Sequence, residues 1–191
     1  MRSVGLFFGS FNPIHIGHLA LANYMLAFED LDEIWFVVSP QNPFKKTDDL
    51  LGAEHRVEMV RRATKKQENY RVEDIELSLP IPSYTIDTLK ALNSRHANCR
   101  FSIIMGADNI LNFNKWKAAD EIIKNSRLLV YPRRNYTIKE KDLPANCKLT
   151  NAPLVELAST EIRSWIKAGK MIPFLIPEAA FEYIKQHKLY Q

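Results

Sequence analysis

Two histidines, His15 and His18, lie three residues apart in the stretch GSFNPIHIGH, directly after an apolar run. Residues at this spacing share one face of a helical turn, so both imidazoles can point at the same group. Gly9 would let a ligand approach the backbone, and Pro13 suits the first turn of a helix. A helix start also offers backbone N–H donors and the positive end of the helix dipole, which favour phosphate. We therefore interpret the stretch as a phosphate-binding turn, in which Gly17 keeps space open between the imidazoles.

The histidine pair could also be a metal site or a pair of core histidines. A metal site usually needs a third ligand, and no further His, Cys or acidic cluster stands in this stretch. Core histidines rarely have Gly, Ser, Asn and Pro as neighbours. The dinucleotide-binding pattern GxGxxG is absent from the sequence.

A second stretch with polar chemistry is LASTEIRSWIKAGK, from Leu157 to Lys170. After a strand-like beginning it has a helical pattern, with Ser159 or Thr160 as a natural N-cap and Gly169 as a natural stop. By itself this pattern predicts only a well-capped surface helix.

Short apolar runs that alternate with helical patterns must position these residues. The predicted strands are Val4–Phe8, Ile34–Val38, Phe101–Met105 and Leu128–Tyr131, with a weaker one over Tyr70–Leu77. Helical spacing occurs around Leu19 to Leu26, Ala53 to Ala63, Ile86 to Leu92 and Pro177 to Leu189, whereas Pro132–Pro153 is expected to be loop. Strands separated by helices predict an α/β fold, a doubly wound and mostly parallel sheet with helices on both faces.

Ligands of such sheets bind beyond the carboxyl ends of the strands. The residues at those positions are small or polar: Gly9-Ser10-Phe11, Ser39-Pro40, Gly106-Ala107-Asp108, Pro132-Arg133 and Ala158-Ser159-Thr160. The sequence therefore predicts that the two stretches described above contribute to one site.

Composition and charge limit the classes of protein to which this chain can belong. The chain has 191 residues, a formal net charge of +4 and 46% hydrophobic residues, as expected for one globular domain with a mildly basic surface. Because Lys and Arg are dispersed, the basic charge indicates an ordinary enzyme surface rather than nucleic-acid binding, and a basic patch would also suit an anionic small substrate. Cys99 and Cys147 match no zinc spacing and are expected to be free thiols. We find neither a signal peptide nor an apolar run of membrane-spanning length, and we expect a cytoplasmic protein with no membrane partner.

The opening stretch resembles the signature of the nucleotidyltransferase superfamily, G-x-[ST]-F-[DN]-x-x-H-x-G-H, at every fixed position from Ser10 to His18. LASTEIR is similar to that superfamily's ISSTxxR element, although Ala158 stands where a serine is usual. NPFKK is similar to its P-P-H-K element through Pro43 and Lys45, whereas Phe44 replaces the histidine. The resemblance implies a Rossmann-like sheet with a small C-terminal helical part (about residues 159–191), all within a single domain over residues 1–191.

Two more stretches narrow the resemblance to nicotinate mononucleotide adenylyltransferases of the bacterial type. SYTIDTL and GADNILNFNKW are similar to the S-Y-T-x-x-T-L and G-x-D…W elements of that family. By this correspondence, Trp116 would stack on the pyridine, while Tyr84 and Thr85 would line the pocket for its base. Asp108 would hold ribose hydroxyls, and Arg133 would lie near ATP.

The resemblance implies transfer of the adenylyl group of ATP to nicotinate mononucleotide, with pyrophosphate released. The implied catalytic residues are His15, His18 and Arg163, and no residue is expected to ligate a metal directly. The implied ATP-binding residues are Gly9, Ser10, Phe11, Gly17, Lys45, Gly106, Asp108, Arg133, Ser159 and Thr160. Mg²⁺ is expected on the phosphates of ATP, and the protein is expected to be a monomer or homodimer. The alternatives are another adenylyltransferase, such as one for phosphopantetheine, or a non-catalytic module that binds nucleotides or RNA.

Overall fold

The computed structural model describes residues 1–40 and 50–191. Within them the strands are β1 (Arg2–Gly9), β2 (Glu33–Val38), β3 (Tyr70–Glu73), β4 (Cys99–Gly106), β5 (Arg127–Tyr131) and β6 (Cys147–Leu149). The α-helices are α1 (Ile16–Phe28), α2 (Ala53–Thr64), α3 (Thr85–Arg95), α4 (Ala107–Ile110), α5 (Ala119–Asn125), α6 (Ser159–Lys167) and α7 (Glu178–Gln186).

The strands form one sheet in the order β3-β2-β1-β4-β5-β6, and every neighbouring pair is parallel. The predicted fold class is therefore confirmed. The chain builds outward from β1 in one direction and then from β4 in the other, so the strand order reverses between these two strands. Such a switch point leaves a crevice at the carboxyl ends of the strands.

The sheet is covered on both faces, which explains the continuous apolar character of its strands. On one face, Phe7 and Phe36 belong to a cluster that also contains buried residues of α1, α2, α6 and α7. On the other face, Leu6 and Trp35 pack with residues of α3 and α5. Because side chains alternate along each strand, the two layers share the same strands without sharing side chains.

Several local predictions were wrong at their boundaries. The segment predicted as a strand over Tyr70–Leu77 leaves the sheet after Glu73 and forms a 3₁₀ turn over Ile75–Ser78. The expected loop over Pro132–Pro153 contains β6, which is too short to show a period and is recognisable only by its pairing with β5. The strand-like beginning expected at Leu157 is not a strand, since residues 151–158, directly before α6, have no regular structure.

Candidate active-site cleft at the strand switch point

A cleft of about 520 Å³ lies at the carboxyl ends of β1 and β4. It is lined by every predicted site residue in the described part of the chain: Gly9, Ser10, Phe11, His15, Gly17, His18, Tyr84, Thr85, Gly106, Asp108, Trp116, Arg133, Ser159, Thr160 and Arg163. Lys45, with its neighbours Pro43 and Phe44, lies outside the described residues. Segments that are more than a hundred residues apart in sequence therefore meet in one cavity.

The two histidines stack on each other at the start of α1. Their ring centroids are 3.7 Å apart with an interplanar angle of 27°. The backbone N–H of His15, the N-cap residue, donates a hydrogen bond to Nδ1 of His18 at 3.2 Å. Because that Nδ1 accepts, a neutral His18 ring carries its proton on Nε2, which can donate to an anion.

His15 is held in its neutral form. Its pKa is lowered from 6.5 to about 4, chiefly by burial and also by the positive charge of Arg133. Its ring is 4% exposed, and no residue in the described part of the chain hydrogen bonds to its Nδ1. A neutral, buried imidazole is well suited to hydrogen bonding with a ligand.

The C-terminal segment is tied directly to the turn that precedes α1. The hydroxyl of Ser159 donates to the carbonyl oxygen of Pro13 at 2.9 Å, and Nη1 of Arg163 donates to the carbonyl oxygen of Asn12 at 2.9 Å. The histidine pair and the Ser-Thr-Arg segment thus form one side of the cleft. We call Asn12, His15, His18, Ser159 and Arg163 the histidine wall.

Both helices of the histidine wall begin elsewhere than predicted. Pro13 lies in a turn before α1, which begins at Ile16 because His15 has extended backbone and acts as the N-cap. The N-cap of α6 is Ala158 rather than Ser159 or Thr160. The carboxylate of Glu161 accepts the backbone N–H of Ala158 at 3.1 Å, which is one half of a capping box, while the methyl group of Ala158 offers no acceptor for the other half. Gly169, with φ +68°, is near the end of the helix as predicted.

Two glycines serve protein packing at this site. A Cβ on Gly9 would approach the ring of Phe11 to 2.8 Å, so the room that we expected for a ligand is taken by that ring. Phe11 is itself 1% exposed, and its side chain belongs to the core. A Cβ on Gly17 would approach Val155 to 2.7 Å and the ring of His15 to 3.0 Å. Gly17 therefore allows the segment before α6 to approach the histidines.

Asp108 and Arg133 face each other across the ends of β4 and β5. Their Oδ1 and Nε atoms are 3.7 Å apart, and both atoms are buried without a hydrogen-bond partner among the described residues. Nη2 of Arg133 donates to the hydroxyl of Tyr131 at 3.4 Å. Together with Nδ1 of His15, these atoms account for three of the four buried side-chain atoms of the described residues that lack a partner. Their position in one cleft fits a polar ligand.

Another part of the cleft lining comes from the start of α3 and from the residues after α4. Tyr84, the N-cap of α3, is 37% exposed, and Thr85 is the first residue of that helix. Trp116 is half-buried, and its ring centroid lies 5.2 Å from that of Phe113. We call Tyr84, Thr85 and Trp116 the aromatic wall.

Sequence reasoning missed Arg56 on α2, which is 1% exposed. Its guanidinium donates to the carbonyl oxygens of Ser10 and Ser39 at 2.7 Å, of Leu51 at 2.9 Å and of Pro40 at 3.0 Å. Arg56 therefore joins the loops that follow β1 and β2. Burial lowers the pKa of this guanidinium from its usual value.

Tyr190 was missed as well. Its hydroxyl donates to Oδ1 of Asn12 at 2.8 Å, and the same oxygen accepts the backbone N–H of Leu51 at 3.3 Å. Burial raises the pKa of Tyr190, which keeps the hydroxyl protonated as a donor. Asn12 is thus hydrogen bonded to the segment after α7, to α6 and to the loop before α2.

The described residues contain no group of three or more His, Cys, Asp and Glu side chains that could hold a metal ion. Among the helices of residues 1–40 and 50–191, none has the length and apolar character needed to cross a bilayer.

Residues 6–165 match the family model described as cytidylyltransferase-like. A Flavobacterium johnsoniae protein named "Probable nicotinate-nucleotide adenylyltransferase" is 44% identical over 190 residues, which cover 98% of each chain. A Bacteroides fragilis protein of the same name is 43% identical over 182 residues, or 95% of this chain and 90% of the relative.

Solved structures share the fold. The nicotinic acid mononucleotide adenylyltransferase of Plasmodium falciparum, complexed with NaAD, superposes with a TM-score of 0.80 over 100% of this chain and 98% of the other. The two sequences are 21% identical, so this likeness concerns the architecture.

Proposed function

The chain belongs to the cytidylyltransferase-like family, and from that premise we propose its reaction and the roles of its residues. The protein is a nucleotidyltransferase that transfers the adenylyl group of ATP to nicotinate mononucleotide, giving nicotinate adenine dinucleotide and pyrophosphate in NAD biosynthesis. The near full-length relatives named for this activity support the assignment. The observation that carries it is the convergence of the histidine wall and the aromatic wall in one cleft.

In this reaction the phosphate of the mononucleotide attacks the α-phosphorus of ATP in line. A P–O bond forms there, and the bond to the β-phosphate oxygen breaks, so that pyrophosphate leaves. The attacking phosphate is ionised at neutral pH, so the enzyme needs no nucleophilic side chain. Catalysis then consists of positioning the two substrates and stabilising the charge that develops on phosphoryl oxygens.

The histidine wall would hold the triphosphate. Nε2–H of His18 would donate to an ATP oxygen, since its other nitrogen already accepts the backbone N–H of His15. Arg163 would bind the β- and γ-phosphates. A guanidinium has five N–H donors, so its bond to Asn12 is compatible with a further bond to phosphate. Ser159 would fix the wall through its bond to Pro13.

The aromatic wall would hold the mononucleotide. The indole of Trp116 would stack on the pyridinium ring, with a cation–π energy of roughly 0.5–2 kcal/mol. Backbone donors at Tyr84 and Thr85, at the start of α3, would bind the carboxylate. Asp108 would bind ribose hydroxyls, and Arg133 would lie beside ATP.

Mg²⁺ would be held by the phosphates of ATP and by water, since the described residues offer no carboxylate cluster for it. The ion would neutralise part of the phosphate charge. We further propose a single domain over residues 1–191, because α6 and α7 share one apolar cluster with β1 and β2.

Purified protein should be assayed with ATP, MgCl₂ and one acceptor at a time: nicotinate mononucleotide, its amide counterpart or phosphopantetheine. Pyrophosphate release and chromatography of the dinucleotide are the two readouts. We expect the highest kcat/KM with nicotinate mononucleotide. Preference for phosphopantetheine, or turnover with none of them, would contradict the proposed function.

A further inference from the structure

A buried carboxylate is hydrogen bonded to residues next to the aromatic wall. Glu76 lies in the 3₁₀ turn after β3, lines the cleft and is only 3% exposed. Its Oε1 accepts the hydroxyl of Thr88 at 2.7 Å, and its Oε2 accepts the hydroxyl of Ser83 at 3.1 Å. Thr88 and Ser83 are also buried. A buried carboxylate costs free energy unless its oxygens are hydrogen bonded, so these contacts are specific structural features.

The two donors flank the segment Tyr84–Thr85. Ser83 comes directly before it, and Thr88 lies in the first turn of α3, where its backbone N–H donates to the carbonyl oxygen of Tyr84 at 3.2 Å. Glu76 therefore fixes the chain on both sides of the two residues whose backbone would meet the carboxylate of the substrate. Negative charge at the start of α3 is also favourable for the helix dipole.

We propose that Glu76 is a positioning residue that sets the affinity for the acidic mononucleotide by fixing the backbone of Tyr84 and Thr85. This inference rests on the proposed function. It differs from a direct electrostatic effect, because a negative charge near the substrate's carboxylate would weaken binding. Positioning and direct repulsion therefore predict opposite signs when the charge is removed.

The test is steady-state kinetics of Glu76→Gln and Thr88→Val, with each substrate varied in turn. A hydrogen bond to a charged group contributes enough that we expect the KM for nicotinate mononucleotide to rise by roughly tenfold in each variant. We expect the KM for ATP and kcat to stay within about twofold, since Glu76 acts through Ser83 and Thr88 beside the start of α3. The KM of the double variant for nicotinate mononucleotide should be about equal to that of the single variant with the higher KM, because both changes disrupt the same contact.

Two matched controls separate positioning from general loss of stability. Glu29→Gln alters another buried carboxylate, which pairs with Lys148 at 2.8 Å outside the cleft. Thr64→Val removes another buried helical hydroxyl, which donates to the carbonyl oxygen of Val60 at 2.9 Å. Both controls should lower the melting temperature without changing the KM for either substrate. If Glu76→Gln fails to fold, Ser83→Ala tests the same network with a smaller change.

A selective rise in the mononucleotide KM supports the proposal. A lower KM in Glu76→Gln would indicate direct repulsion, and an equal rise of both KM values would indicate a structural role. Either result overturns the proposal, as does an unchanged KM. A wild-type protein that forms no dinucleotide overturns the proposed function itself, and this is seen before any variant is measured.

Discussion

On the histidine wall, side chains from distant parts of the chain bond to backbone carbonyls. Ser159 donates to the carbonyl oxygen of Pro13, and Arg163 donates to that of Asn12. Arg56 donates to four carbonyl oxygens in the loops after β1 and β2 and before α2. On the aromatic wall, Tyr84 and Trp116 are partly exposed, and the buried polar support is the small network around Glu76. The two walls thus differ in how firmly they are fixed.

This difference matches what each wall would have to do. Charge that develops in a transition state is best stabilised by donors that are already in place, since reorganisation then costs little. A flat ring that stacks against an indole needs a surface of the right orientation but tolerates small displacements. Losses on the histidine wall should therefore appear mainly in kcat, and losses on the aromatic wall mainly in the mononucleotide KM.

The largest expected effect comes from His18→Ala. Loss of one preorganised donor typically costs roughly 3–4 kcal/mol, so kcat should fall by about two orders of magnitude or more. The KM values should change much less, and the fold should persist. The measurement is dinucleotide formation at saturating substrates, with thermal unfolding beside it. A near-wild-type rate would remove His18 from the mechanism, and His187→Ala, at an exposed position after α7, is the control.

The next effect is on stability below neutral pH. His15 has a folded-state pKa of about 4, against 6.5 in the unfolded chain. The unfolded state therefore binds a proton first as the pH falls. The contribution of neutral His15 to the free energy of unfolding is fully present above pH 6.5 and is lost as the pH falls toward 4. Between pH 7 and pH 5 the free energy of unfolding falls by about 2 kcal/mol from this cause.

His15→Gln should remove that contribution. Denaturant unfolding at pH 7 and pH 5 should show the free-energy gap between wild type and variant shrinking by about 2 kcal/mol. Because the two proteins differ only at residue 15, the change of this gap with pH reports on His15. A gap that stays constant with pH would mean that His15 is not desolvated.

A smaller effect is expected on the aromatic wall. In Trp116→Leu, loss of stacking and cation–π attraction should raise the KM for nicotinate mononucleotide by about tenfold or less, with kcat and the KM for ATP nearly unchanged. Trp165→Leu on α6, which packs against the core outside the cleft, is the matched control. A large fall in kcat for Trp116→Leu would erase the distinction between the walls.

The sequence predicted the parts of this site that follow local rules. Apolar runs predicted β1, β2, β4 and β5, and a weaker pattern predicted β3 with a wrong end. The strand-end rule correctly brought Gly9 and Gly106 to one cleft, whereas Ser159 lies there without a strand directly before it. Arg56 could not be found in this way. It stands on the same helix as the solvated Arg61 and Arg62, and its partners are carbonyls up to 46 residues away. Glu76 was not predicted either, because it falls in the segment expected to continue β3, where the chain instead forms a 3₁₀ turn.

The smallest expected effect tests whether the histidine wall has redundant support. Tyr190→Phe removes the hydroxyl that donates to Oδ1 of Asn12, but that oxygen still accepts the N–H of Leu51, and Arg163 still holds the carbonyl of Asn12. One lost hydrogen bond should lower the free energy of unfolding by about 1 kcal/mol. Because two other bonds remain, kcat should fall by less than about threefold. Tyr24→Phe on α1, whose ring packs on Phe28, is the control for loss of a tyrosine hydroxyl. A fall in kcat of more than about tenfold would mean that the wall depends on a single contact, and its firmness relative to the aromatic wall would then need another explanation.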